Sequence, residues 1–146
     1  MTTYKVGYLV GSVAKASINR LLATALVRLA PPELQMSEIP FKDLPIYSYD
    51  YDANYPPVAT AFKEAIAAVD AVLFVTPEYN RSIPSILAFC NSPLMNAIEA
   101  YVQFDRGLIT EDGRVTDETT EQFLRQYIEE FAGFIARVYT VLPRNQ

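Results

Sequence analysis

The sequence predicts an α/β fold, a parallel sheet with helices on both faces. Two observations carry this. Apolar runs that read as strands alternate with stretches of helical period, in the order β-α-β-α-β-α-β-α. The run Ala71–Val75 (AVLFV) is apolar without interruption, the pattern of a strand covered on both faces. The 146 residues suit one domain spanning 1–146.

Each element has its own signal. Tyr4–Val10 (YKVGYLV) reads as a buried strand ended by Gly11-Ser12. Ser17 or Asn19 caps a helix whose apolar residues Ile18, Leu21, Leu22, Ala25, Leu26 and Leu29 recur at helical spacing until Pro31-Pro32 stops it. Leu34–Ile39 alternates apolar and polar and reads as a second strand. Pro40–Pro57, rich in Pro, Asp and Tyr, reads as loop. A second helix is expected over Val58–Val69, with Val58, Phe62, Ile66 and Val69 on one face, and Asp70 leads into the Ala71–Val75 strand. Thr76–Ser82 (TPEYNRS) is a polar loop, and Pro84 suits the first turn of a short helix over Ser85–Cys90. A fourth strand is expected at Ala100–Phe104, then turns at Arg106-Gly107 and Asp112-Gly113. Thr116 or Asp117 caps a final helix that runs to Leu142, striped by Phe123, Leu124, Tyr127, Ile128, Phe131, Phe134, Ile135 and Val138. At about 39 Å that helix is longer than one small sheet. Its stripe is therefore expected to need a partner chain, in a homodimer or homotetramer.

Composition narrows the chemistry. Twelve basic against 17 acidic residues leave a net charge of −5, which argues against broad nucleic-acid binding. There is no histidine, which removes Ser-His-Asp and Cys-His mechanisms and the usual His-ligated metal sites. Cys90 is the single cysteine, so no intrachain disulfide or Cys cluster forms, and it reads as a small buried hydrophobe. No metal site and no protein catalytic residue is expected, and the chemistry falls to a bound cofactor. Nothing near Met1 reads as a signal peptide and no apolar run spans a bilayer, so a cytoplasmic protein without membrane contact is expected.

The loops beyond the strand ends are where such sheets place ligands. Gly11–Asn19 (GSVAKASIN) puts the hydroxyls of Ser12 and Ser17, the Asn19 amide and the Lys15 charge at a helix start, which suits an anion such as phosphate. It is neither a Walker A loop nor GxGxxG, and an ordinary capped turn has the same look. In Thr76–Ser82, Pro77 stiffens the strand exit, Tyr79 offers an aromatic face, and backbone amides can bond a planar heterocycle; a solvated turn is the plainer reading. Tyr47, Tyr49, Tyr51 and Tyr55 suit an acceptor pocket, an interface or simple loop packing.

Together, GSxxxxSxN at the first helix start and TPEYNxSxP after the third strand resemble the NADPH-dependent FMN reductase family, which includes bacterial chromate/quinone reductases and azoreductases. The resemblance runs from Lys5 through the final helix. It takes in Asp43–Tyr47 (DLPIY), Pro56-Pro57, Met95-Asn96-Ala97, Glu99-Ala100-Tyr101 and Glu111–Glu118 (EDGRVTDE). It implies a flavodoxin-like three-layer α/β/α fold, FMN as cofactor and NADPH or NADH as electron donor. A quinone, azo compound, metal oxyanion or free flavin is implied as the small-molecule acceptor. By matching position, Ser12, Ser17 and Asn19 are implied as FMN phosphate ligands, with Lys15 and Ile18 also on the cofactor-binding loop, and Pro77, Glu78, Tyr79 and Asn80 are implied beside the flavin ring with Ser82 close by. Where family members usually carry Arg this chain has Ala14, with Lys15 next to it.

A second departure is a gap. Ser82-Ile83-Pro84 runs straight into Ser85–Pro93, which resembles the end of a later family helix, so the resemblance implies that one helix, one strand and the start of the next helix, roughly 30–45 residues, are skipped. The missing Trp and the five glycines agree with this. The sheet is then expected to fall to four strands in the order 2-1-3-5, with one flavin-contacting loop lost. The alternative function is a non-catalytic flavodoxin-like remnant or oligomerisation module with weak or no FMN binding.

Overall fold

A computed structural model describes residues 2–12, 17–45, 48–51, 54–77, 95 and 100–142. Its elements are β1 (Tyr4–Val10), α1 (Ile18–Leu29), β2 (Leu34–Glu38), a 3-10 turn (Tyr49–Tyr51), α2 (Pro57–Ala67), β3 (Ala71–Val75) and α3 (Glu118–Val141). The short helix expected over Ser85–Cys90 lies outside the described residues.

All strand pairs are parallel, in the order β2-β1-β3. Register places Tyr8 opposite Glu38 and Leu73, and Val10 opposite Val75. Side chains alternate across a strand, so Val6 and Val10 share one face with Leu34, Leu73 and Val75. These residues form one core with Ala25, Leu26 and Leu29 of α1 and Leu124, Ile128, Phe131 and Ile135 of α3.

The ends of the elements follow from local chemistry. Ile39 is past the end of β2, yet its N–H still donates to the Tyr8 carbonyl at 2.9 Å. α2 begins with Pro57 in its first turn, where the missing N–H costs nothing. None of its residues is buried, and Phe74 of β3 is 45% exposed. The carboxylate of Asp117 caps α3, accepting from the Thr120 N–H and hydroxyl at 2.7 Å each. Those bonds hold the Asp117 carboxyl below its ordinary pKa. No helix among the described residues is long and apolar enough to cross a membrane.

The strand expected at Ala100–Phe104 is absent from the ladder. Val102 and Phe104 turn toward the core while Tyr101 and Gln103 are exposed, so the alternation is that of extended chain. Alternation selects a face; it does not supply the neighbouring N–H and C=O groups that make a strand. The described sheet therefore has three strands, the 2-1-3 portion of the expected order.

The stripe of α3 is also handled differently from the sequence expectation. Leu124, Ile128, Phe131, Ala132 and Ile135 are buried by this chain's own sheet and α1, so the stripe is no argument for a partner chain. The exposed large apolar residues of α3 lie toward its ends, Phe123 at 39% and Val141 at 78%.

Leu108–Thr116 forms a small hairpin that precedes α3 in the chain. Ile109 and Val115 pair antiparallel and are buried in the core. Gly113 makes the turn at φ 79°, and a Cβ there would lie 2.8–2.9 Å from Thr24, so the tip sits directly on α1. Arg28 secures it, 3.2 Å from Asp112. At the N-terminal edge of the sheet, Asp70 accepts from the Lys5 N–H at 2.7 Å and from the Tyr139 hydroxyl at 3.1 Å. The Tyr139 ring stacks on Tyr4 with centroids 5.8 Å apart.

Candidate functional site

The chain leaves β1 for β2 on one side and returns to β3 on the other. The carboxyl ends of β1 and β3 therefore mark the point where strand order reverses, and open α/β sheets bind ligands at such a crevice. Here the two ends are drawn close together. The Gly11 N–H donates to the Val75 carbonyl at 2.7 Å, and the Ser12 N–H to the Val10 carbonyl at 2.7 Å. A Cβ on Gly11 would stand 2.7 Å from Thr76 Oγ1 and 3.1 Å from Thr76 Cα, so only glycine fits against that backbone. Thr76 and Pro77, both half-buried, continue this edge.

The N-terminus of α1 opens at the same edge. Ser17 is the N-cap residue, extended at φ −77° and ψ 130°, and its carbonyl accepts from the Arg20 and Leu21 N–H groups at 3.0 and 3.2 Å. Its side chain makes no capping bond, although Ser17 is only 7% exposed. The first turn carries no acidic residue. α3 is the contrast: its N-terminus is closed by Asp117 and carries Glu118 and Glu121 in the first turn. One helix thus neutralises its own positive end, while among the described residues the other has neither a side-chain cap bond nor an acid in its first turn. Asn19 is 8% exposed beside Ser17, and Ile18, 52% exposed, forms an apolar rim.

Arg20 also stands in that first turn. Its guanidinium forms a two-pronged pair with Glu38 at the end of β2, at 3.0 and 3.1 Å. Tyr8 neighbours the pair, and its phenol is pushed above its ordinary pKa, first by burial and then by the Glu38 charge, with Arg20 opposing. The β2–α2 connection lies at this edge too. There Tyr49 is exposed, Tyr51 half-buried, and Lys63 sits 3.5 Å over the Tyr55 ring.

A cavity of about 300 Å³, lined by Tyr4, Glu33, Ala132, Gly133 and Ala136 among others, lies at the opposite, N-terminal edge of the strands. Its walls carry neither the helix N-terminus nor the strand-end loops, so it is not the switch-point crevice.

Of the residues singled out from sequence, Ser12, Ser17, Ile18, Asn19 and Pro77 come to one sheet edge. Lys15, Glu78, Tyr79, Asn80 and Ser82 lie outside the described residues. Two features of the edge escape sequence reading. The fit of Gly11 against Thr76 has a faint signal, a glycine following one strand and a Thr-Pro following another. The Arg20–Glu38 pair has none, because its partners are 18 residues apart on different elements.

Comparison with known proteins bears on this edge. The family profile described as NADPH-dependent FMN reductase matches residues 4–90. A 2-hydroxy-1,4-benzoquinone reductase from a Burkholderia species is 30% identical over 175 residues, covering 90% of this chain and 96% of its own. A quinone reductase from Pseudomonas putida is 32% identical over 177 residues, covering 90% of this chain and 95% of its own. Both spans exceed the 146 residues of this chain, so the relatives carry residues within the matched region that this chain lacks. Among solved structures, FerB from Paracoccus denitrificans, described as a flavoenzyme NAD(P)H:(acceptor) oxidoreductase, superposes with a TM-score of 0.80 at 28% identity, over 92% of this chain and 98% of that one.

Proposed function

The chain belongs to the NADPH-dependent FMN reductase family, and from that premise we propose that it holds FMN at the β1–β3 switch point and passes electrons from NAD(P)H to a quinone. The observation that carries this reading is the N-terminus of α1: buried Ser17 leaves its own helix uncapped, with no acid in the turn that follows. That donor set fits a phosphate dianion, and the glycine-tight approach of β1 to β3 lets a flat group lie along backbone.

Bound FMN would supply the hydride chemistry, which no side chain of this histidine-free protein needs to perform. The work of the residues is to bind and orient. The Ser12 and Ser17 hydroxyls and the Ile18 and Asn19 N–H groups would hold the phosphate, with the Asn19 side chain beside them. Thr76 and Pro77 set the direction in which the chain leaves β3, and so where the residues after them meet the ring. Ile18 shields the phosphate end from water. A quinone is the acceptor class because two of the relatives are quinone reductases by name. It would approach from the side of the edge that carries Tyr51, since Lys63 covers one face of Tyr55.

The experiment is calorimetric titration of the purified protein with FMN and with riboflavin, followed by NAD(P)H-driven quinone reduction. FMN is expected to bind more tightly than riboflavin, which lacks the phosphate. Ser17→Ala is expected to weaken FMN by about tenfold, the scale of one hydrogen bond to a charged group, and to leave riboflavin unchanged. Equal affinity for the two flavins, or an FMN affinity indifferent to Ser17→Ala, refutes the phosphate assignment.

We place the residues missing relative to the relatives after Pro84, where the sequence passes from one family segment to a later one. That supports a second reading, in which the shortened chain is an assembly module with a weakened flavin site. A preparation that stays colourless in excess FMN supports the second reading, and NAD(P)H-dependent bleaching of a yellow preparation excludes it.

A further inference from the structure

We propose that Glu38 acts as a brake on the affinity of this edge for phosphate by holding Arg20 aside. The inference rests on the placement of phosphate at the α1 N-terminus and goes beyond it in naming the cation that serves the site and the acid that competes for it. Arg20 lies one turn from the N-cap, its N–H bonded to the Ser17 carbonyl at 3.0 Å. Helical side chains lean toward the N-terminus, so a phosphate bonded by Ser17 is within one arginine side chain of Arg20. Among the described residues Arg20 is the only basic side chain in the first turn of α1. In this structure its guanidinium is turned to Glu38 instead, with both prongs engaged at 3.0 and 3.1 Å.

The pair is partly exposed, with side chains 44% and 34% accessible, so exchange of partners needs no unfolding of the core. A planar guanidinium bonds a carboxylate and a phosphate in the same two-pronged way. Glu38 and a bound phosphate therefore compete for one guanidinium. The plain alternative is that the pair braces α1 against β2 and has nothing to do with ligand. The two readings give opposite signs for the same substitution.

Four proteins are compared by calorimetric titration with FMN and with riboflavin: the unaltered chain, Glu38→Gln, Arg20→Gln and the double variant. Glu129→Gln, on α3 at the far edge, controls for the change in net charge. If Glu38 is a brake, Glu38→Gln tightens FMN about threefold, the scale of an exposed charge pair. Arg20→Gln weakens FMN by a similar factor, Glu38→Gln has no effect once Arg20 is gone, and riboflavin is unmoved throughout. If the pair is only a brace, Glu38→Gln and Arg20→Gln both weaken FMN, both lower the unfolding midpoint, and both affect riboflavin alike; this result overturns the proposal. Tightening by Glu129→Gln equal to that of Glu38→Gln overturns it as well. Failure of FMN to bind any of the proteins overturns the phosphate placement itself, and the brake with it.

Discussion

Replacing Gly11 by alanine tests whether the close approach of β1 and β3 builds the site. Gly11 lies outside the left-handed region, so alanine meets no backbone penalty there, and its effect comes from the added carbon alone. That carbon would stand 2.7 Å from Thr76 Oγ1, 2.9 Å from Thr76 Cβ and 3.1 Å from Thr76 Cα, where ordinary contact begins at 3.4 Å. Thr76 must therefore retreat by roughly 0.3 to 0.7 Å, and because one of the three atoms is backbone, a change of rotamer cannot absorb it. Overpacking of this kind costs about 1–3 kcal/mol. The stiffer unfolded chain returns about 0.4–1 kcal/mol, leaving a net loss centred on about 1.3 kcal/mol and at most about 2.6 kcal/mol. The retreat also pulls Thr76 and Pro77 off the crevice, so FMN affinity is expected to fall together with stability. Urea unfolding followed by circular dichroism gives the first quantity and FMN calorimetry the second. Thr76→Gly removes the two side-chain clashes but leaves the close approach to the residue 76 backbone. In the double variant it should recover part of both losses, relative to Thr76→Gly alone. A Gly11→Ala protein with unaltered stability and FMN affinity refutes the reasoning, as does a double variant in which the two losses simply add.

Two further outcomes test the core and its ionisable groups. Ile128 is fully buried inside one chain, so Ile128→Ala should cost about 3–4 kcal/mol from lost transfer energy plus a cavity, whereas Val141→Ala should fall within about 0.5 kcal/mol. If α3 is satisfied within one chain, the loss caused by Ile128→Ala should be the same at every protein concentration, and a loss that changes with concentration would show that the Ile128 face is coupled to association. Burial pushes the Tyr127 phenol above its ordinary pKa. The unfolded chain then releases that proton first, so stability is full below the ordinary tyrosine pKa and declines as pH rises above it. Tyr127→Phe should flatten that decline in urea midpoints measured on either side of about pH 10, and an unchanged alkaline profile would count against Tyr127 as its source.

What is legible in the sequence, and what is not, divides along the range of the forces involved. β1 and β3 are set by local apolar runs, and both match the expected bounds residue for residue. The Asp117 cap and the φ > 0 turns at Gly107 and Gly113 are equally local. Ala100–Phe104 has the alternation of a strand, but a strand is completed by a neighbour, and alternation names none. The stripe of α3 is visible as a stripe, yet its partner is the α1 and sheet face of its own chain, which only the tertiary fold supplies. The site divides in the same way. The position of Ser17 and Asn19 at the start of α1 is readable because a hydroxyl or amide at a helix start has a local reason to be there. The Gly11–Thr76 approach joins strands 65 residues apart, and the Arg20–Glu38 pair joins a helix to a strand end. Recognising a phosphate needs little more than the local set. On the proposed reading, tuning its affinity would fall to charges brought together by the fold, such as the Arg20–Glu38 pair, which joins two elements and has no local signal in the sequence.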